Sequence, residues 1–399
     1  MSSPLSFQTV ARCKATDARV GLLSTPHGRV YTPAFLPVAT RASVRGLTPE
    51  EATEVGASIL LANTYHLYLQ PGVDTVRAMG GLHAFMGWSG PMLTDSGGFQ
   101  AFSMGSLKSV SEEGIRFRSH IDGSEHLFTP ESAMGYQERL GADIILCLDE
   151  CVAYGEEEAR VREATERTHR WALRCREAQR SGKQALFGVL QGGVYRNLRE
   201  ESARFFTAQE VDGYAIGGLA VGEPKAEMYE VTRHVCAMLP EGRPRHLLGV
   251  GSPEDLVECV ARGVDLFDCA LPTRIARNGA LLTGRGRIDI TRARFQKAEG
   301  PVEEGCDCYA CRNFSSAYLH HLFKAGELLG LRLATIHNLR FVLHLMEEMR
   351  HAILRDSFPA FKERFLARYR PTDERLRGEQ KEKWLRRRGI LGVGEGPGV

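Results

Sequence analysis

The sequence predicts a closed (β/α)8 barrel, and three observations carry that prediction. Eight short apolar runs recur along the 399 residues, most of them continuous rather than alternating, as parallel strands covered on both faces require. Segments with helix-start signals fill the intervals between them. No G-x-G-x-x-G motif follows the first run and there is no P-loop, which disfavours a doubly wound open sheet.

The runs are Pro33–Val38, Ser58–Ala62, Met92–Thr94, Asp143–Leu148, Ala185–Leu190, Gly213–Ile216, His246–Val250 and Val264–Phe267. Thr48-Pro49-Glu50-Glu51 supplies an N-cap, a first-turn proline and an N3 glutamate, the composition of a capping box. Thr129-Pro130-Glu131 and Ser252-Pro253-Glu254-Asp255 repeat the signal. Glu156–Ser181 reads as a long charged amphipathic helix, with Trp171 and Leu173 offered to its inner face. Two interruptions read as hairpins, Ile115–Phe128 turning at Asp122-Gly123 and Ala280–Ile290 turning around Gly284–Gly286. The expected division is a catalytic barrel over 1–300, a zinc-binding helical subdomain packed on it over 301–385, and a disordered tail over 386–399.

Composition narrows the class. An apolar fraction of 43% supports a sizeable core, and no stretch approaches the roughly 18 apolar residues of a membrane span. Met1–Lys14 lacks the apolar core and small-residue cleavage site of a signal peptide. Ten cysteines without secretory features predict reduced thiols in the cytoplasm, some of them metal-bound. A formal charge of +2 requires any nucleic-acid footprint to be a local patch.

Cys306-Asp307-Cys308-Tyr309-Ala310-Cys311 packs three thiols into six residues, and His337 follows 26 positions later. A C-x-C-x2-C knuckle presents three thiolates from one turn, and a histidine nitrogen completes a tetrahedral zinc site with no position open to substrate. Such a site is structural. His320 and His321 lie nearer in sequence, but His337 opens a helix that a ligand there would anchor. The seven other cysteines are scattered and read mostly as small core residues.

A barrel places its chemistry where strands end, and those ends carry Asn63, Asp95, Asp149, Gln191, Gly217-Gly218 and Asp268. One such residue can simply cap the next helix; three aspartates on one rim bring catalysis into contention. Asp95 lies in Thr94-Asp95-Ser96-Gly97-Gly98-Phe99-Gln100, whose glycines would let the backbone approach a ligand. Asp268 opens Asp268-Cys269-Ala270-Leu271-Pro272-Thr273-Arg274. From there to Lys297, Arg274, Arg277, Arg285, Arg287, Arg292 and Arg294 face a single acid, Asp289. A one-signed strip beside a catalytic rim suits a phosphate-bearing substrate larger than a metabolite.

These motifs, together with Gly217-Gly218-Leu219-Ala220-Val221-Gly222-Glu223 and the zinc knuckle, closely resemble the bacterial tRNA-guanine transglycosylases, from about Val30 to about Leu366. The resemblance implies a zinc-containing, usually homodimeric barrel that removes guanine from the wobble position of certain tRNAs and inserts preQ1 (7-aminomethyl-7-deazaguanine). It implies Asp268 as nucleophile toward ribose C1′ and Asp95 as general acid/base. Asp149, Gln191 and the Gly218 N–H would read the base, while the Leu219 carbonyl and Glu223 would handle the aminomethyl group. Arg274 and Arg277 would contact the anticodon loop. Phe99 stands where some members have tyrosine, and Leu248 where some have methionine below the base. Val221 stands where members that take the bulkier queuine have glycine.

Competing readings are a plain glycosidase, a non-catalytic RNA-binding subunit, and an archaeal-type transglycosylase with added C-terminal domains. The first leaves the arginine strip and base-reading set unused. The second conflicts with the presence of both Asp95 and Asp268. For the third, the chain offers only Gly389–Val399 after Arg388.

Overall fold

The computed structural model describes residues 4–104, 108–179 and 181–371, and of Phe102–Met104 and Lys108 only the backbone; the expected disordered tail lies outside them. Eight parallel strands form at the eight apolar runs: Ala34–Leu36, Leu60–Asn63, Met92–Asp95, Ile144–Leu146, Ala185–Leu190, Gly213–Ile216, Arg245–Leu247 and Leu266–Asp268. Each pairs in parallel with its neighbour, and the eighth pairs with the first (Asp268 opposite Leu36). The ring closes between first and second, where Leu61 N donates to Pro37 O at 3.1 Å. Leu36, Ile144 and Val189 on the inner face, and Ile216 and Phe267 on the face toward the helices, are all buried to within 1%. Covered on both faces, the strands have no need of alternation.

Helices follow the strands as the start signals require. Thr48 caps Pro49–Glu54 in a reciprocal box: Glu51 N donates to Thr48 Oγ1 at 3.2 Å, and Thr48 N to Glu51 Oε2 at 3.0 Å. Thr129 does the same for Pro130–Leu140, with Ser132 as its partner. The long charged helix spans Glu158–Ala178, inside the expected limits. Trp171 is fully buried on it, but Leu173 is 41% exposed and does not share the inner face. Two residues of helix turn a side chain by about 200°, so only one of the pair can face the barrel.

Both expected hairpins form, and the first gains a third strand, Lys108–Val110. The last helix of the ring is Leu328–Leu354, which packs on the first strand and on Pro253–Val260. It is tied to the first helix by Arg332 Nε donating to Glu51 Oε1 at 2.8 Å. The metal knuckle therefore sits between the eighth strand and its own ring helix. An antiparallel sheet, Ser6–Arg12, Arg19–Thr25 and Gly28–Thr32, covers the opposite, N-terminal end of the barrel. Among the described residues no helix is long and apolar enough to cross a membrane.

Candidate active site

The third strand delivers Asp95 to the rim, where three neutral groups hold its carboxylate. Asn63 Nδ2 donates to Oδ2, Gln100 Nε2 donates to the same oxygen at 3.0 Å, and Thr64 N donates to Oδ1 at 2.9 Å. Burial pushes the Asp95 carboxyl up to about 6; the three donors pull it down and the charge of Asp268 adds to the rise. A carboxyl poised there exchanges a proton near neutral pH. Gly97, at φ +83°, and Gly98 are required by the protein itself. A Cβ on Gly97 would meet the Tyr65 N at 3.0 Å, and one on Gly98 the Asp149 carbonyl at 2.9 Å. The tight approach expected for a ligand is taken up by the chain's own backbone.

Asp149 stands at the end of the fourth strand. Gln191 Nε2 donates to its Oδ2 at 2.7 Å, and burial, opposed by Gln191 and Ser96, raises its carboxyl to about 6. Its neighbour Glu150 turns away to Arg160 and Arg167. Gln191 and Asp149 are thus one hydrogen-bonded unit. A Cβ on Gly218 (φ +65°) would lie 2.3 Å from Gln191 Oε1, so only glycine fits beside that amide. Beneath them the buried Arg199 donates to the carbonyls of Leu190 (3.0 Å), Gly193 (2.7 Å) and Gly218 (3.3 Å), holding the two strand ends in place.

The loop after the sixth strand closes on the Glu223 carboxylate, which accepts from the N–H groups of Ala220, Val221 (3.0 Å) and Gly222 (3.1 Å). A trans peptide points its N–H and C=O in opposite directions. With the Ala220 N–H turned to Glu223, the Leu219 carbonyl points away from that carboxylate. Ala220 holds this turn at φ +58°, an uncommon conformation for a residue with a Cβ.

Asp268 ends the eighth strand, one pairing step from the first. His246 Nε2 lies 2.9 Å from its Oδ1, and Gly249 N donates to the same oxygen at 3.3 Å. Leu248, two residues after His246, is half-buried against the core, and Phe99 is exposed. Arg274 is exposed and Arg277 half-buried on the short helix Leu271–Ala276 and its cap. Burial, then the nearby charges of Arg45 and Arg274, lower the Arg277 guanidinium from its usual range. The basic edge therefore extends to the loop after the first strand, beyond the strip read from sequence. Farther along that strip Arg292 pairs with Asp289 at 3.1 Å and Arg294 stacks on Phe295.

On the far side of that helix, Cys306, Cys308, Cys311 and His337 bring their ligand atoms within 4.8 Å of one another. His337 Nδ1 is 3.8, 3.6 and 3.3 Å from the three sulfurs, in chain order. Its Nε2 is 2.7 Å from the Leu282 carbonyl and donates there, which fixes the tautomer that leaves Nδ1 free to bind a metal. His320 is committed elsewhere, with Nδ1 2.8 Å from the Ile290 carbonyl, and His321 is exposed. This cluster can hold a metal ion. A second cluster, His27, His83 and Asp143, lies at the barrel floor, but its two imidazoles stack 3.6 Å apart at 14°. Parallel rings cannot both aim an in-plane lone pair at one ion about 2 Å away, so this cluster is a carboxylate clamp.

Every rim residue expected from sequence lies at or just past the C-terminal end of a barrel strand, on one rim. Sequence reasoning missed Thr64, Arg199, Arg45 and His246. His246 lies inside an apolar run and Arg199 on a helix, where neither is distinguished by its neighbours.

Fold and site define a (β/α)8 barrel with an acidic rim and a four-ligand cluster that can hold a metal ion. The sequence model of the family described as queuine tRNA-ribosyltransferase matches residues 13–371. The chain is similar to queuine tRNA-ribosyltransferases of Pelotomaculum thermopropionicum (55% identical, covering 92% of this chain and 99% of the relative) and Desulforudis audaxviator (56%, covering 90% and 97%). A third, from Herpetosiphon aurantiacus, is 54% identical over 90% of this chain and 92% of its own. The chain belongs to the queuine tRNA-ribosyltransferase family.

Proposed function

We propose that this enzyme exchanges guanine at the anticodon wobble position of tRNA for preQ1 through a covalent aspartyl–ribose intermediate. The observation that carries the reading is the placing of Asp95, poised near 6, within the field of the Asp268 charge, on a rim that also carries the hydrogen-bonded Asp149–Gln191 unit. Asp268 attacks ribose C1′ as the C1′–N9 bond breaks, and the bonding pair leaves with guanine, which takes a proton from Asp95. The incoming base then gives its N9 proton to Asp95 and attacks C1′, and the pair of the C1′–O bond returns to the Asp268 carboxylate. Asp149, as an anion, accepts from the N1–H and exocyclic amine of either base, while the free N–H of Gln191 and that of Gly218 reach O6. The outward Leu219 carbonyl accepts from the aminomethyl cation, and Glu223 stabilises it by charge. Val221 fills the space a larger 7-substituent would need. Phe99 supplies a face for stacking and Leu248 supports the base from below. Arg274 and Arg277 hold anticodon-loop phosphates, and splayed single-stranded bases can enter where a duplex could not.

Three thiolates and one imidazole make a donor set suited to zinc, and with four protein ligands the ion would brace the fold. Asn338, next to His337, donates to the carbonyls of Pro272 and Ala280 and accepts from Leu282 N, so the braced helix also fixes the segment bearing Arg274 and Arg277. In this reading the enzyme acts in the cytoplasm as a homodimer. A partly exposed aromatic row, Tyr309, Phe314 and Tyr318, with the latter two rings stacked at 5.2 Å, is a surface a second copy can cover. The test is displacement of labelled guanine from a tRNA transcript. Release should require preQ1 or free guanine; release without base replacement would make the enzyme a hydrolase.

A further inference from the structure

We infer that His246 is a positioning residue that selects which oxygen of Asp268 attacks the ribose; this rests on Asp268 being the nucleophile. His246 pairs with Leu266 across the seventh and eighth strands, so alternation puts it on the same face as Asp268, one pleat below. The imidazole is fully buried, whereas the Asp268 side chain keeps 15% of its surface open. Its Nε2 lies 2.9 Å from Asp268 Oδ1, and its Nδ1 is buried without a hydrogen-bond partner among the described residues. A carboxylate oxygen only accepts, so Nε2 carries the proton. An N–H at the unpartnered Nδ1 would be the costlier alternative, so the ring is the neutral Nε2–H tautomer.

A free carboxylate rotates in a broad two-fold well and presents either oxygen. Here Oδ1 is held twice, by His246 and by Gly249 N, while Oδ2 has no partner among the described residues. Oδ2 is the oxygen that forms the bond to C1′ as the base leaves. Oδ1 then becomes the ester carbonyl and keeps the His246 hydrogen bond. When the C1′–Oδ2 bond breaks, its electron pair spreads over the carboxylate, and the donor at Oδ1 stabilises that charge as it returns. His246 thus acts on both halves of the exchange without touching the substrate.

The experiment compares His246→Leu and His246→Gln. The Gln side-chain amide places an N–H close to where the imidazole Nε2–H lies, whereas Leu fills the space without a donor. For His246→Leu the exchange kcat should fall ~10- to 100-fold, the value of one hydrogen bond to a charged group, with the KM for tRNA within about twofold. The tRNA adduct, trapped with a guanine analogue carrying carbon in place of N9, should still form on a denaturing gel. It should decay more slowly than the wild-type adduct when chased with excess guanine. His246→Gln should recover most of the rate and the fast chase. Wild-type kcat and chase in His246→Leu would overturn the inference. So would a Gln variant no better than Leu, when both melt at the same temperature. Absence of the adduct from the wild type itself would instead overturn Asp268 as nucleophile.

Discussion

At the rim of the barrel half-buried Asp95 and buried Asp149 sit among neutral amides and hydroxyls; at the floor Asp143 and Asp265 meet histidine and arginine. Burial alone drives a carboxylate toward its protonated form, and the amides at the rim only partly oppose it, so both rim groups rise to about 6. Burial also acts on Asp143, but His83, His27 and the Met92 N–H outweigh it and hold that carboxyl below its ordinary value. Asp265 is fully buried in a two-point pair with Arg19, at 2.9 and 2.6 Å. One residue type on one scaffold therefore does opposite work. The floor spends its aspartates on holding strands together, and the rim leaves its own under-stabilised and reactive.

The largest expected effect lies at the floor. Arg19→Met strands the Asp265 carboxylate without its partner and should destabilise the fold by ~3–5 kcal/mol in urea unfolding. The exchange kcat of the folded fraction should be unchanged, because the pair sits at the far end of the barrel. A kcat loss with unaltered stability would erase the division between the two ends.

The second effect has the opposite sign. Between the ordinary carboxylate value and about 6, the folded chain binds more protons at Asp95 and Asp149 than the unfolded chain does. Their contribution to stability therefore falls as pH rises through that window. For Asp143 the contribution is present above the ordinary value and is lost as pH falls toward the lower folded one. Asp149→Asn removes one rim charge. It should be more stable to unfolding than wild type at pH 7, by up to about 3 kcal/mol, and show a flatter stability slope between pH 4 and 6. Guanine exchange should fall about 100-fold or more, since an amide offers one acceptor where the base presents two donors. A less stable Asp149→Asn would mean that the rim carboxylate carries no burial penalty.

The smallest effect sharpens the picture of the rim. Val221→Gly keeps the backbone N–H that Glu223 accepts, yet removes the branched side chain beside the pocket. Queuine incorporation relative to preQ1 should rise roughly 10- to 100-fold, with guanine exchange little altered. Efficient queuine insertion by the wild type would show that Val221 does not limit the pocket.

The same contrast explains what could be read from the chain. The rim announces itself locally, because its strand-end aspartates follow apolar runs and Asp95 has Gly97 and Gly98 close behind it. The knuckle does so too, through the spacing of Cys306, Cys308 and Cys311. The floor does not: Arg19 and Asp265 are 246 positions apart, and His27 reaches Asp143 across 116. The covering sheet was also missed, since Ser6–Arg12 alternates only between exposed and half-buried positions and carries no apolar run. His246 was invisible for a related reason. Its partner is on the next strand, and nothing in Arg245-His246-Leu247 distinguishes a positioning histidine from a core one.

The most direct test of the account is a denaturing gel of enzyme mixed with tRNA and the carbon-for-N9 guanine analogue, run for wild type, Asp95→Asn and Asp268→Asn. Wild type should show a band at the combined mass of protein and tRNA, and Asp95→Asn the same band formed more slowly. Asp268→Asn should show none, because an amide cannot attack C1′. A covalent band persisting in Asp268→Asn would contradict the assignment of the nucleophile and the exchange mechanism built on it.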